Sequence, residues 1–67
     1  MTASTYASIT RAVDQIVADE RDAADQTVCA YMIARAALLR VRASHGSDKA
    51  SSMAYALADE LATSDAV

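Results

Sequence analysis

The first 45 residues of this chain contain neither glycine nor proline. Because these two residues are the usual signals that end a helix, the chain has few places at which a helix must stop. Seventeen of the 67 residues are alanine, the strongest helix former, whereas phenylalanine and tryptophan are absent. We therefore predict an all-α fold and a single domain spanning residues 1–67.

Apolar residues recur at intervals of three and four, which indicates amphipathic helices. The predicted helices span about 4–19, 22–44 and 47–63 and form a small up-down-up three-helix bundle with the second helix central. Thr2 or Ser4 is expected to cap the first helix, Gly46 to end the second, and Ser47 to cap the third. Residues 63–67 are expected to fray. A helical hairpin that dimerises is the alternative.

The boundary between the first two helices has to be predicted from charge. The apolar pattern stops between Val17 and Val28, and the gap is rich in acids. Because acids suit a helix N-terminus and not a C-terminus, we place a tight turn near residues 19–22, with Asp19 or Asp22 capping the second helix. One unbroken helix over residues 4–43 is the competing interpretation, and it needs a partner chain to cover it.

The second helix is apolar on two sides of a helical wheel, with a ridge of Val28, Arg35 and Arg42 between them. A helix of this kind is normally buried on nearly every side, so we expect helices 1 and 3, or a second copy, to enclose it. Tyr31 is expected in the core. The two arginines are expected to reach solvent along their stems, to pair with Asp14, Asp59 or Glu60, or to contact a partner.

No combination of residues predicts catalysis or metal binding. Cys29 lies in the middle of a predicted helix among apolar sequence neighbours, which favours a buried structural cysteine. The segment 44–49 contains serine, histidine and aspartate, but neighbouring turn residues are expected to point apart and not to form a triad. One histidine and one cysteine do not supply a metal site. We therefore expect no enzyme activity, no cofactor and no metal.

Charge and size favour a binding function. The net charge is −3, which disfavours nucleic acid and anionic membrane as general partners. We expect a non-enzymatic protein-binding module, a possible homodimer included, that acts as a stoichiometric inhibitor or regulator. The expected partner-binding residues are Asp19, Glu20, Asp22, Asp25, Arg35, Arg42 and Tyr55. In size and charge the chain looks like the small acidic helical inhibitors of phages and mobile elements, anti-CRISPR proteins among them.

Two other functions remain open from the sequence. A helix-turn-helix DNA-binding regulator would use the basic end, which comprises Arg35, Arg40, Arg42, His45 and Lys49. A structural homodimer subunit is the second. The single cysteine and the lack of a basic region followed by an apolar run at the N-terminus predict a cytoplasmic location in a bacterial or phage-infected cell.

Overall fold

The computed structural model describes residues 1–64, with side chains up to residue 63. Within these residues it contains three α-helices, α1 (Ala3–Ala18), α2 (Ala23–His45) and α3 (Ser47–Ser64). Each boundary lies within one residue of its prediction, and the all-α class with three helices and a central second helix is confirmed. The unbroken helix over residues 4–43 is wrong, because the chain leaves the helical conformation between α1 and α2.

The helix α3 ends at Ser64, one residue later than predicted. Fraying was expected from residue 63, but Thr63 and Ser64 belong to the helix. The Thr63 hydroxyl donates to the Asp59 carbonyl at 2.8 Å, one helical turn back. Residues 65–67, on which the rest of that prediction falls, lie outside the described residues.

The chain divides into two compact units, Met1–Ala34 and Arg35–Val67, and α2 contributes one half to each. In the first unit the half-buried apolar positions include Val13 and Val17 of α1 and Cys29 and Ile33 of α2. Both pairs are spaced by four, which keeps each pair on one helix face. The apolar interior of this unit is therefore formed by one stripe from each of its two helices.

The second unit contains the C-terminal half of α2 and the whole of α3. Leu38 and Val41 of α2 and Ala54 of α3 are half-buried, and Ala50 is buried. The two alanines lie at spacing four on α3, where a small side chain allows a neighbouring helix to approach closely. This unit too is held by narrow stripes and not by a broad core.

Most of the large apolar side chains remain exposed. The three helices carry sixteen of them, of which five are half-buried. The eleven exposed ones are Tyr6, Ile9, Ile16, Val28, Tyr31, Met32, Leu39, Met53, Tyr55, Leu57 and Leu61. Within residues 1–63, Ala50 alone is buried, and 9% of its surface is still exposed. The helices therefore leave much of their apolar surface without cover.

Helices α1 and α3 do not enclose α2 on nearly every side, so that alternative of the prediction is wrong, whereas enclosure by a second copy stays a prediction. No residue of α2 is fully buried, Cys29 is half-buried, and Tyr31, which was expected in the core, is 65% exposed. Each half of α2 shares its unit with one other helix, and one helix covers one stripe. The second apolar side is left exposed for that reason.

A single residue, Gly46, joins α2 to α3. Its φ of 92° lies in the left-handed region, where glycine carries no steric penalty. Its N–H donates to the Arg42 carbonyl at 2.9 Å, and its own carbonyl accepts from the Ala50 N–H at 3.2 Å. Gly46 therefore ends α2 and also takes the N-cap position of α3, so the prediction that Ser47 holds that position is wrong.

Replacing Gly46 tests this joint. A Cβ at position 46 meets nothing within 4 Å, so the penalty of Gly46→Ala is conformational alone. We expect Gly46→Ala to lower the free energy of unfolding by about 1 kcal/mol and Gly46→Asn to lower it less, because asparagine tolerates positive φ. Urea denaturation followed by circular dichroism, at one fixed protein concentration, measures both. Equal stability of all three proteins would contradict the requirement for a left-handed residue at position 46.

Candidate protein-binding surface

The four acids predicted to bind a partner come together where α1 meets α2. We call Asp19, Glu20, Asp22 and Asp25 the acidic turn. All four side chains are exposed. Asp19 is the C-cap of α1, and Asp25 lies in the first turn of α2. The turn therefore presents a concentrated negative charge on the unit Met1–Ala34.

Two of these acids accept hydrogen bonds within or next to the turn. The Asp22 carboxylate accepts from the backbone N–H groups of Ala24, at 2.8 Å, and Asp25, at 3.4 Å. Asp22 is thus the N-cap of α2, as one of the two predicted possibilities. The Asp19 carboxylate instead accepts from the Gln15 amide at 3.1 Å, across the last turn of α1.

The other two acids have uncommitted carboxylates. The Gln26 amide donates to the Glu20 carbonyl at 2.9 Å, which fixes the backbone of the turn and leaves the Glu20 side chain free. The carboxylates of Glu20 and Asp25 make no hydrogen bond or ion pair with the described residues. They are therefore the members of the acidic turn that are available to a partner without loss of a cap.

Alanine substitution separates the capping acids from the others. We expect Asp22→Ala to lower the free energy of unfolding by about 1 kcal/mol, the usual loss for an N-cap. Asp19→Ala should lower it less, because it also removes a negative charge from a helix C-terminus, where the macrodipole disfavours it. Urea denaturation measures the difference. Equal losses for the two variants would contradict the assignment of Asp22 as the cap.

The predicted arginine ridge is exposed and unpaired. Arg35 and Arg42 are both exposed, and neither guanidinium pairs with a carboxylate of a described residue. Of the three alternatives predicted for these arginines, pairing with Asp14, Asp59 or Glu60 is wrong, and both side chains reach solvent. Tyr55 is 75% exposed. These three residues belong to the unit Arg35–Val67, so the predicted site residues fall into two groups, one on each unit.

The exposed side of α2 has a regular pattern that sequence reasoning missed. Six exposed positions alternate at spacings of three and four, and we call them the α2 seam: Asp25, Val28, Met32, Arg35, Leu39 and Arg42. They fall within an arc of about 100° on a wheel of 100° per residue. The wheel had placed Val28, Arg35 and Arg42 on one ridge, but Met32 and Leu39 were assigned to a side of the helix that was expected to be buried, so the whole pattern was not recognised.

Ser44 and His45 meet at the end of α2, although neighbouring turn residues were expected to point apart. The Ser44 hydroxyl lies 2.8 Å from His45 Nδ1 and also donates to the Arg40 carbonyl at 3.0 Å. Both residues are exposed, and His45 has no hydrogen bond to a carboxylate within the described part of the chain. The group that orients the histidine of a catalytic triad is not present at this pair.

Residues 1–64 contain neither a metal-binding cluster nor a membrane-spanning helix. No three histidine, cysteine, aspartate or glutamate side chains among them converge so that they could hold a metal ion. None of their helices combines the length and the apolar character needed to cross a membrane.

Comparison with known proteins assigns no family. No family model, no curated protein and no solved structure matches the chain. Function is therefore inferred from the residues and surfaces themselves.

Proposed function

We propose that the protein is a non-enzymatic binding module that acts as a small stoichiometric inhibitor or regulator of a larger protein complex. The observation that supports this proposal is the exposure of eleven of the sixteen large apolar side chains of the helices. Exposed apolar surface beyond isolated residues is a feature of surfaces that bind another protein. A chain that leaves such surface on all three helices is suited to work in an assembly.

The acidic turn indicates the chemistry of the partner. The carboxylates of Glu20 and Asp25 have no partner among the described residues, Asp19 lies beside them, and the net charge of the chain is −3. Complementary charge steers association and suppresses wrong partners. The proposed partner surface is therefore basic, such as the channel of a nucleic-acid-handling complex, where carboxylates would take the place of phosphates.

Two biological properties belong to this proposal. The protein would work in the cytoplasm, as inhibitors of the anti-CRISPR type from phages and mobile elements do. It would block its target by covering a nucleic-acid channel or by preventing the recruitment of a subunit. Exposed Tyr55 is a suitable further contact, because tyrosine supplies large contact area at low conformational-entropy cost.

Direct DNA binding has less support. The basic residues near the end of α2 are exposed, but a single residue joins α2 to α3, whereas DNA-binding helix-turn-helix motifs use a turn of about three or four residues. The first turn of α3 also carries Asp48, and the same helix carries Asp59 and Glu60. Retention of labelled duplex DNA at low salt would favour this alternative.

Charge reversal tests the proposed binding mode. The variant Asp19→Lys/Glu20→Lys changes the acidic turn but keeps the cap Asp22. With a partner identified by capture from the native host's lysate, we expect this variant to bind at least about tenfold more weakly, because attractive contacts become repulsive. The measurement is calorimetric titration of the purified partner, which also gives the stoichiometry.

The matched control is Asp14→Lys/Asp59→Lys. It changes the net charge equally at exposed acids outside the turn, and we expect it to bind within about threefold of the wild type after correction for ionic strength. Equal binding by the turn variant and the wild type would rule out the acidic turn as the contact. Failure to find a partner that binds in a fixed ratio would contradict the proposal that the protein is a binding module.

A further inference from the structure

We propose that a second copy of this chain binds the α2 seam, with the two α2 helices antiparallel. The seam consists of Asp25, Val28, Met32, Arg35, Leu39 and Arg42, and α2 is one continuous helix from Ala23 to His45. Alternating spacings of three and four are those of the seam of a coiled coil. The proposal does not rest on the proposed function, because the purified chain alone would form the dimer.

The seam has the exposure that an interface needs. Val28 is 59% exposed, Met32 48% and Leu39 41%, and the three charged members are exposed as well. The half-buried apolar positions of α2, such as Cys29 and Leu38, lie outside this arc on the wheel. The seam is therefore a side of α2 that is exposed in the described part of the chain.

Antiparallel pairing makes the seam complementary to itself. With a two-fold axis at the level of the Ile33–Ala34 peptide, Asp25 lies opposite Arg42 of the second copy. Val28 lies opposite Leu39 of the second copy, and Met32 opposite Arg35. The two-fold repeats each pair, as an isologous interface requires. Every seam residue then meets an unlike charge, an apolar side chain or the long apolar stem of an arginine.

Other arrangements match less well. Parallel, in-register pairing places Asp25, Arg35 and Arg42 each opposite its own copy, so three of the six layers bring like charges together. Like charges across an interface are strongly unfavourable. A shift by one layer in the antiparallel arrangement leaves seam residues without a counterpart on α2. The charge pattern thus selects the direction, and the number of paired layers selects the register.

The charged residues of the seam lack ion-pair partners within the described part of the chain, which also favours a second copy at this surface. Arg35, Arg42 and the Asp25 carboxylate make no ion pair within the described part of the chain. The second copy supplies an acid for Arg42 and a base for Asp25. Arg35 lies next to the two-fold axis, where its stem packs on Met32 and its guanidinium reaches the solvent at the edge of the interface.

A charge-swap experiment tests this pairing. Sedimentation equilibrium from low to high micromolar concentration should show a monomer–dimer equilibrium for the wild type. Arg42→Asp should raise the dissociation constant at least about tenfold, because the two-fold converts two attractive contacts into repulsive ones. Asp25→Arg should act in the same way. The double variant Asp25→Arg/Arg42→Asp should return to within about threefold of the wild type.

The matched control is Arg40→Asp. Arg40 is exposed, lies on α2 two residues before Arg42 and is outside the seam, so this variant makes the same change in net charge near the same helix end. We expect its dissociation constant to stay within about threefold of the wild type. Recovery in the double variant also shows that the single variants do not weaken the dimer merely by unfolding.

Cross-linking determines the direction of the helices. In a Cys29→Ala background, Val28→Cys should not form a disulfide with itself under air oxidation, because the two positions are offset by about 16 Å along antiparallel helices. A mixture of Val28→Cys and Leu39→Cys chains should form the mixed disulfide. A monomer at all concentrations, a dimer insensitive to Arg42→Asp, or a Val28→Cys homodisulfide would each overturn the proposal, the first leaving the seam to a different partner.

Discussion

The structure depends on how much of α2 its neighbours can cover. Each half of α2 shares a compact unit with one other helix, and one neighbouring helix covers one stripe. Because α2 is apolar on more than one side, residues such as Val28, Met32 and Leu39 remain in contact with water. This lack of cover on α2 follows from the number of helices and would persist with any choice of apolar side chain at these positions.

Local hydrogen bonds, and not a core, decide where the helices begin and end. Thr2 accepts from the Thr5 N–H at 3.1 Å, Asp22 caps α2, and Gly46 serves both α2 and α3. Such signals lie within a few residues of the boundary that they specify, so the sequence predicts the helices to within one residue. The misassigned cap at Ser47 shows the limit of this reasoning, since one glycine can end one helix and begin the next.

Burial and pairing could not be predicted in the same way. A helical wheel shows that Tyr31 shares a side with Leu38, but not which turns of that side another helix reaches. Leu38 is half-buried, whereas Tyr31 is exposed. The sequence left three surroundings open for Arg35 and Arg42 for the same reason, because pairing with acids of other helices depends on the distances between helices. The acidic turn was predictable because its four members are close in sequence.

The charges of α2 connect the stability of the helix with the direction of its proposed pairing. Asp25 lies in the first turn and Arg42 in the last, where each interacts favourably with the helix macrodipole. A helix with an acid near its start and a base near its end is complementary to an antiparallel copy and repels a parallel one. The same two residues would therefore stabilise α2 within one chain and select the orientation of the second. In the proposed dimer Arg35 would lower the affinity, because leucine at this position would bind more tightly, and polar residues in coiled-coil seams exchange stability for a defined arrangement in this way.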